Sequence, residues 1–189
     1  MNLNLKEDSR FHAFHVLKEY FSSASYAQDI IDKSFNSQKI SIERRNYINN
    51  LVLGIIRNKG KFDYILADLY DGKYAKLKSG IKYILYIGLY QLDYLKSTPD
   101  HAAVSISVDI AKDKYKGLDK LVNAILRNYL KRKHEYLLEK KNKESYNLLS
   151  HPIWLVNIWI KKYGYEKTLD ICEFNNLEQI VWFRVNNLK

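Results

Sequence analysis

The chain has 189 residues, 47% of them hydrophobic, with a single cysteine and a formal net charge of +10. That length and apolar content suit one packed domain plus a small appendage and exclude wholesale disorder. The lone Cys172 excludes an internal disulfide and a cysteine-built zinc site, and fits a reducing cytoplasm.

The charge is uneven. Residues 1–150 hold 26 basic and 17 acidic side chains, or +9, and residues 151–189 hold 5 and 4, or +1. A polyanion partner is therefore expected to meet the first 150 residues. The opening MNLNLKEDSRFH lacks an apolar signal core, and the apolar stretch YILYIGLYQL (83–92) is too short for a bilayer. The expectation is a cytoplasmic protein with no membrane partner.

Helical periodicity dominates, and two prolines in 189 residues leave few strong breakers. Phe11, Phe14, Leu17 and Phe21 predict a helix over 9–21, and Tyr26, Ile30, Ile31 and Phe35 one over 26–35. Ser41 is a fair N-cap for a third, with Ile48, Leu51, Val52, Ile55 and Ile56 on one face and an end near Asn58–Gly60. A fourth is expected from about Lys61 to Asp71–Gly72. The fifth, about 77–95, carries apolar residues on more than one face and should be central; Gly88 inside it implies close approach of a neighbouring helix. Thr98 and Pro99 read as N-cap and N1 of a sixth, which Gly117 breaks. A seventh places Leu118, Leu121, Val122, Ile125, Leu126, Tyr129 and Leu130 inward, then turns polar through 131–150. Pro152 opens a second unit, with a helix to Gly164 and another from Glu166 to Phe174. Alternation in IVWFRVN (180–186) predicts a terminal strand whose partners lie elsewhere.

Three stretches together resemble the NusB family: ERRNYINNLVLGIIRNKGKFDYIL (43–66), LKSGIKYILYIGLYQLDYL (77–95) and TPDHAAVSISVDIAKDKYKGLDKLVNAILRN (98–128). The order GLYQL, P-x-H-A-A-V and VNAILR carries the resemblance. It implies an all-α fold of two packed three-helix bundles. HPIWLVNIWIKKYGYE (151–166) and FRVNN (183–187) resemble the segment that joins such a domain to the catalytic part of RsmB/Sun-type 16S rRNA cytosine-C5 methyltransferases. The division expected is a NusB-like RNA-binding domain over 1–140, a linker over 141–150, and a helical linker with the first strand of a methyltransferase region over 151–189.

The resemblance implies a parent enzyme that uses S-adenosylmethionine, while this chain supplies no catalytic residue. No glycine-rich strand–turn–helix occurs to cradle that cofactor. Cys172 reads as a packed thiol. His12 and His15 share a face but have no ligand pattern around them, so no metal is expected. His101 reads as a first-turn hydrogen-bonding residue, and Gln91 and Asn123 as polar brackets between helices.

The chemistry left is basic. Arg10, Arg44, Arg45, Lys59, Lys61, Arg127, Lys131 and Arg132 are the candidate RNA contacts, because clustered cations neutralise phosphates. Lys59 and Lys61, with Arg57, are placed in a turn, and Lys112, Lys114, Lys116 and Lys120 flank a loop. Arg127 and Lys131 stand one helical turn apart, beside Tyr129 and His134, which are suited to stacking on unpaired bases. NusB relatives carry several arginines at the start of the first helix; here only Lys6 and Arg10 stand there. The expected partners are RNA, specifically 16S rRNA, and the chain's own methyltransferase domain. The alternative is a stand-alone antitermination factor that binds leader RNA and a ribosomal protein; a docking module without RNA is a third reading.

Overall fold

A computed structural model describes residues 5–36, 40–139, 150–177 and 183–185. Among these the chain is helical, with α1 (Ser9–Ser22), α2 (Ala27–Asn36), α3 (Ile42–Arg57), α4 (Lys59–Leu69), α5 (Ser79–Tyr94), α6 (Asp100–Lys114), α7 (Asp119–Glu139), α8 (Ile153–Tyr163) and α9 (Tyr165–Asn176).

Local chemistry sets several helix starts. Asp8 caps α1 by accepting from the Arg10 N–H, and Ser41 caps α3 by accepting from the Arg44 N–H. Asn58 alone separates α3 from α4, and its Nδ2 donates to the Gly54 carbonyl at 3.0 Å. Lys59 and Lys61 therefore lie in the first turn of a helix rather than in a turn between helices. Pro99 is itself the N-cap of α6, one position later than expected. Gly117, with φ +86°, takes the left-handed conformation that lets the chain turn into α7.

α5 is the centre. Its residues from Ile84 to Leu92 are all buried, and it packs against α1, α3, α4, α6 and α7. Burying each large apolar side chain of this kind contributes about 1.5–3 kcal/mol. Gly88 makes the close approach possible: a Cβ there would lie 2.7 Å from Leu126 of α7 and 3.1 Å from the Ser107 hydroxyl of α6. Gln91 brackets helices, since its Oε1 accepts from Arg10 of α1 at 3.3 Å and from the Tyr47 hydroxyl of α3 at 3.4 Å. Asn123 does not: its Oδ1 accepts from Arg127, on the same helix.

α8 and α9 form a hairpin about Gly164, packed on each other through Val156 and Cys172, with Trp159, Ile160 and Leu169 around them. Cys172 is fully buried, and burial, aided by the Glu173 charge, raises its thiol pKa. Of the expected terminal strand, residues 183–185 are described and are not a strand; 180–182 and 186 lie outside the described residues. An isolated extended segment has no ladder to join, and no strand occurs among the described residues. No described helix is long and apolar enough to cross a membrane.

Candidate nucleic-acid interface

The eight candidate cations separate into three groups. The first lies at the start of α1 and α3, where Arg10 and Arg44 line a groove of about 660 Å³ together with Tyr47 and Thr98. Arg10 is held from below. Its Nη2 is 2.7 Å and its Nε 2.8 Å from the Asp8 carboxylate, and its Nη1 reaches Gln91. Burial alone would raise the Asp8 pKa, but the hydrogen bonds and charge of Arg10 outweigh it and hold the carboxyl below its ordinary range. Arg44 reaches Ser9 Oγ at 3.4 Å and donates to the Glu7 carbonyl. Glu7, Asp8 and Glu43 line the same groove, so three acidic residues share it with the two arginines. Arg45 turns away, donating to the Ile40 carbonyl at 3.2 Å with its guanidinium over the Phe35 ring.

The second group is committed to ion pairs within the fold. Lys59 Nζ is 2.5 Å from Asp63, and Lys61 Nζ is 2.5 Å from Asp93. Burial alone would lower the Lys61 pKa; Asp93 and the Tyr94 hydroxyl outweigh it and raise it, so the ammonium stays charged. Arg132 bridges Asp68 and Glu135, each at 2.8 Å, over the Tyr136 ring. Tyr129 belongs to this interior as well. Its ring is buried and its hydroxyl donates to Asp93, so it is not available to stack on a base.

The third group is open. Arg127 and Lys131, joined by Lys120 and His134 from outside the eight, are all exposed along the outer side of α7, the four at spacings of seven, four and three residues. Those spacings set them on one stripe about 21 Å long at 1.5 Å per residue. Arg127 is oriented by Asn123 Oδ1 at 3.0 Å. Among the described residues none of the four forms an ion pair with a carboxylate.

Residues 7–131 match the NusB family. The chain belongs to the NusB family. Residues 151–189 match a second family, the ferredoxin-like domain of the RsmF/B-like methyltransferases. The chain is 31% identical over 180 residues to the probable ribosomal RNA small subunit methyltransferase B of Synechocystis, covering 94% of this chain and 40% of that protein. Against the probable ribosomal RNA small subunit methyltransferase B of Bacillus subtilis it is 30% identical, covering 97% of this chain and 42% of the relative. The ribosomal RNA small subunit methyltransferase B of Shigella flexneri is 30% identical over 79% of the chain and 34% of its own length. The chain thus spans about two fifths of the length of the Synechocystis and Bacillus subtilis relatives.

Gly54, Gly80 and Gly88 lie within helices, pressed against Tyr90, Tyr115 and Leu126, so they serve close helix packing. Reading the sequence alone missed Tyr47 and Thr98 in the first groove, and the amides Asn46, Asn49 and Asn50, whose N-x-x-N-N spacing on α3 was the available signal.

Proposed function

We propose that this chain is the RNA-binding N-terminal part of an S-adenosylmethionine-dependent 16S rRNA cytosine-C5 methyltransferase, working in the cytoplasm. Residues 1–140 form the RNA-binding domain, 141–150 the linker, and 151–189 the entry to the methyltransferase region, which is the intramolecular partner. The observation that carries the RNA role is the α7 stripe, where Lys120, Arg127 and Lys131 stand exposed with no carboxylate paired to them among the described residues. Phosphates gain most where a cation is not already neutralised. Arg127 and Lys131 are the leading contacts, and the Arg10–Arg44 groove is secondary because Arg10 is already paired with Asp8 and the acidic Glu7 and Glu43 also line it. Lys59, Lys61, Arg45 and Arg132 then act by holding the helices that present the stripe. The match of 151–189 to a methyltransferase-associated domain favours this reading over a stand-alone antitermination factor.

The test is the salt dependence of binding to single-stranded 16S rRNA fragments. Replacing Arg127 and Lys131 by alanine should weaken binding and reduce the slope of log affinity against log salt by about 0.7 for each phosphate no longer neutralised. An unchanged slope in the double variant would remove the α7 stripe from the interface.

A further inference from the structure

The fold holds a second cleft of different chemistry. It encloses about 580 Å³ along α3, bordered by α5 and by Asn176 and Leu177 at the end of α9. Asn46, Asn49 and Arg57 face it from α3, three and then eight residues apart, which at 3.6 residues per turn keeps them on one side of the helix. Tyr90 and Tyr94 face it from α5, their rings stacked 5.0 Å apart at 26°.

The tyrosine pair is fixed in place. A Cβ on Gly54 would lie 2.2 Å from the Tyr90 ring, so only glycine lets that ring settle against α3. The Tyr90 hydroxyl donates to Asn50 Oδ1 at 2.7 Å, and the Tyr94 hydroxyl to Asn58 Oδ1 at 2.9 Å. Tyr94 nevertheless keeps 42% of its surface exposed, and Lys61 Nζ sits 5.0 Å from its ring centre. Asn46 is exposed at the rim. Asn49 Oδ1 is buried without a hydrogen-bond partner among the described residues, and a buried carbonyl oxygen costs free energy until a donor reaches it. Arg57 forms no ion pair among the described residues.

An aromatic platform beside amides, each with both donor and acceptor, matches an unpaired nucleobase. The flat face stacks, and the mixed donor–acceptor edge pairs with amides. An apolar ligand would leave Asn49 unpaired, and a bare anion would leave the amide acceptors without donors. We propose that this cleft takes one unpaired base of single-stranded RNA, stacked on Tyr94 with its edge on Asn46 and Asn49 and its adjoining phosphate on Arg57. The inference rests on the RNA-binding reading above and adds base recognition to phosphate contact.

Binding is measured by fluorescence anisotropy with two labelled probes: a mixed-sequence single-stranded RNA pentamer and the same pentamer with abasic sugars. The base-bearing probe should bind about tenfold more tightly, the scale of one base stacked on one aromatic ring. Asn46→Ala with Asn49→Ala, and separately Tyr94→Leu, should erase that advantage and leave abasic binding unchanged. Tyr94→Phe, which keeps the ring, should retain it. Arg127→Ala should weaken both probes alike. A base advantage that survives both Tyr94→Leu and the amide changes overturns the cleft while leaving the RNA role standing, as does wild-type protein that binds both probes equally. Binding of neither probe overturns both.

Discussion

The body from α1 to α7 and the hairpin of α8 and α9 are both built from amphipathic helices, yet they bury very different amounts of themselves. In the body one continuous core runs from Phe11 to Tyr136 and includes fully enclosed Phe14, Phe62 and Tyr86. In the hairpin, among the described residues, Val156 and Cys172 alone form a buried apolar centre, while Ile153, Trp154, Ile158 and Phe174 are each more than half exposed. A pair of short helices around two buried apolar side chains lacks the apolar area to hold itself together. The body is therefore self-sufficient, and the hairpin's order depends on what it touches.

That contrast can be broken by mutation. Phe14→Ala, in the body, should cost about 3–5 kcal/mol, read as a lower urea midpoint by helical circular dichroism. Lys61→Ala should cost less, about 1–3 kcal/mol, because Asp93 loses its nearer cation but keeps Lys133 at 3.4 Å and the Tyr129 hydroxyl. The Lys61 pKa is raised by the fold, so its contribution is complete below the ordinary lysine value and is lost as the pH climbs through the higher folded value. A midpoint unmoved by Lys61→Ala would mean that this ion pair is not part of what holds α4 to α5.

Much of this architecture was legible from periodicity alone. The sequence places all nine described helices, and Gly88 announces the close packing of α5 against α6 and α7. Periodicity does not reveal what a helix face meets. Ile153, Trp154 and Ile158 repeat as regularly as Ile84 and Leu85, yet one set is exposed and the other enclosed. The basic clusters were hidden for a related reason. Lys61 and Asp93 lie 32 residues apart, and Tyr129 and Asp93 lie 36 apart, so pairings that withdraw charge from the surface appear only once α4, α5 and α7 are packed. Arg127 and Lys131 were readable as a pair because their geometry is internal to one helix.

A smaller effect is expected at the α1 cap. Asp8→Asn keeps an acceptor for the Arg10 N–H but removes the ion pair, and should cost about 1 kcal/mol. Asp8 and Asp63 both have pKa values lowered by the fold, so their contributions are complete above the ordinary carboxylate range and are lost as pH falls through the lower folded values. Stability should therefore drop on acidification below about pH 4, and the drop should be shallower in Asp8→Asn.

The smallest change probes the hairpin itself. Tryptophan occurs at only three positions, 154, 159 and 182, all beyond the body. Trp154 is 63% exposed, so Trp154→Phe should alter the stability of the isolated chain by less than about 0.5 kcal/mol. With Trp182→Phe added, that variant keeps Trp159, packed beside Val156 and Cys172, as its one tryptophan and a reporter of the hairpin. Its fluorescence should change at lower urea than the circular dichroism of the body, because the hairpin opens while the core around α5 remains closed. Cys172 supplies the chemical counterpart: its buried thiol should react with a thiol reagent over the same urea range as the fluorescence change. Coincident fluorescence and dichroism transitions would mean that hairpin and body unfold as one unit. The exposed apolar residues of α8 would then be compatible with a hairpin held by the body, despite its two-residue centre.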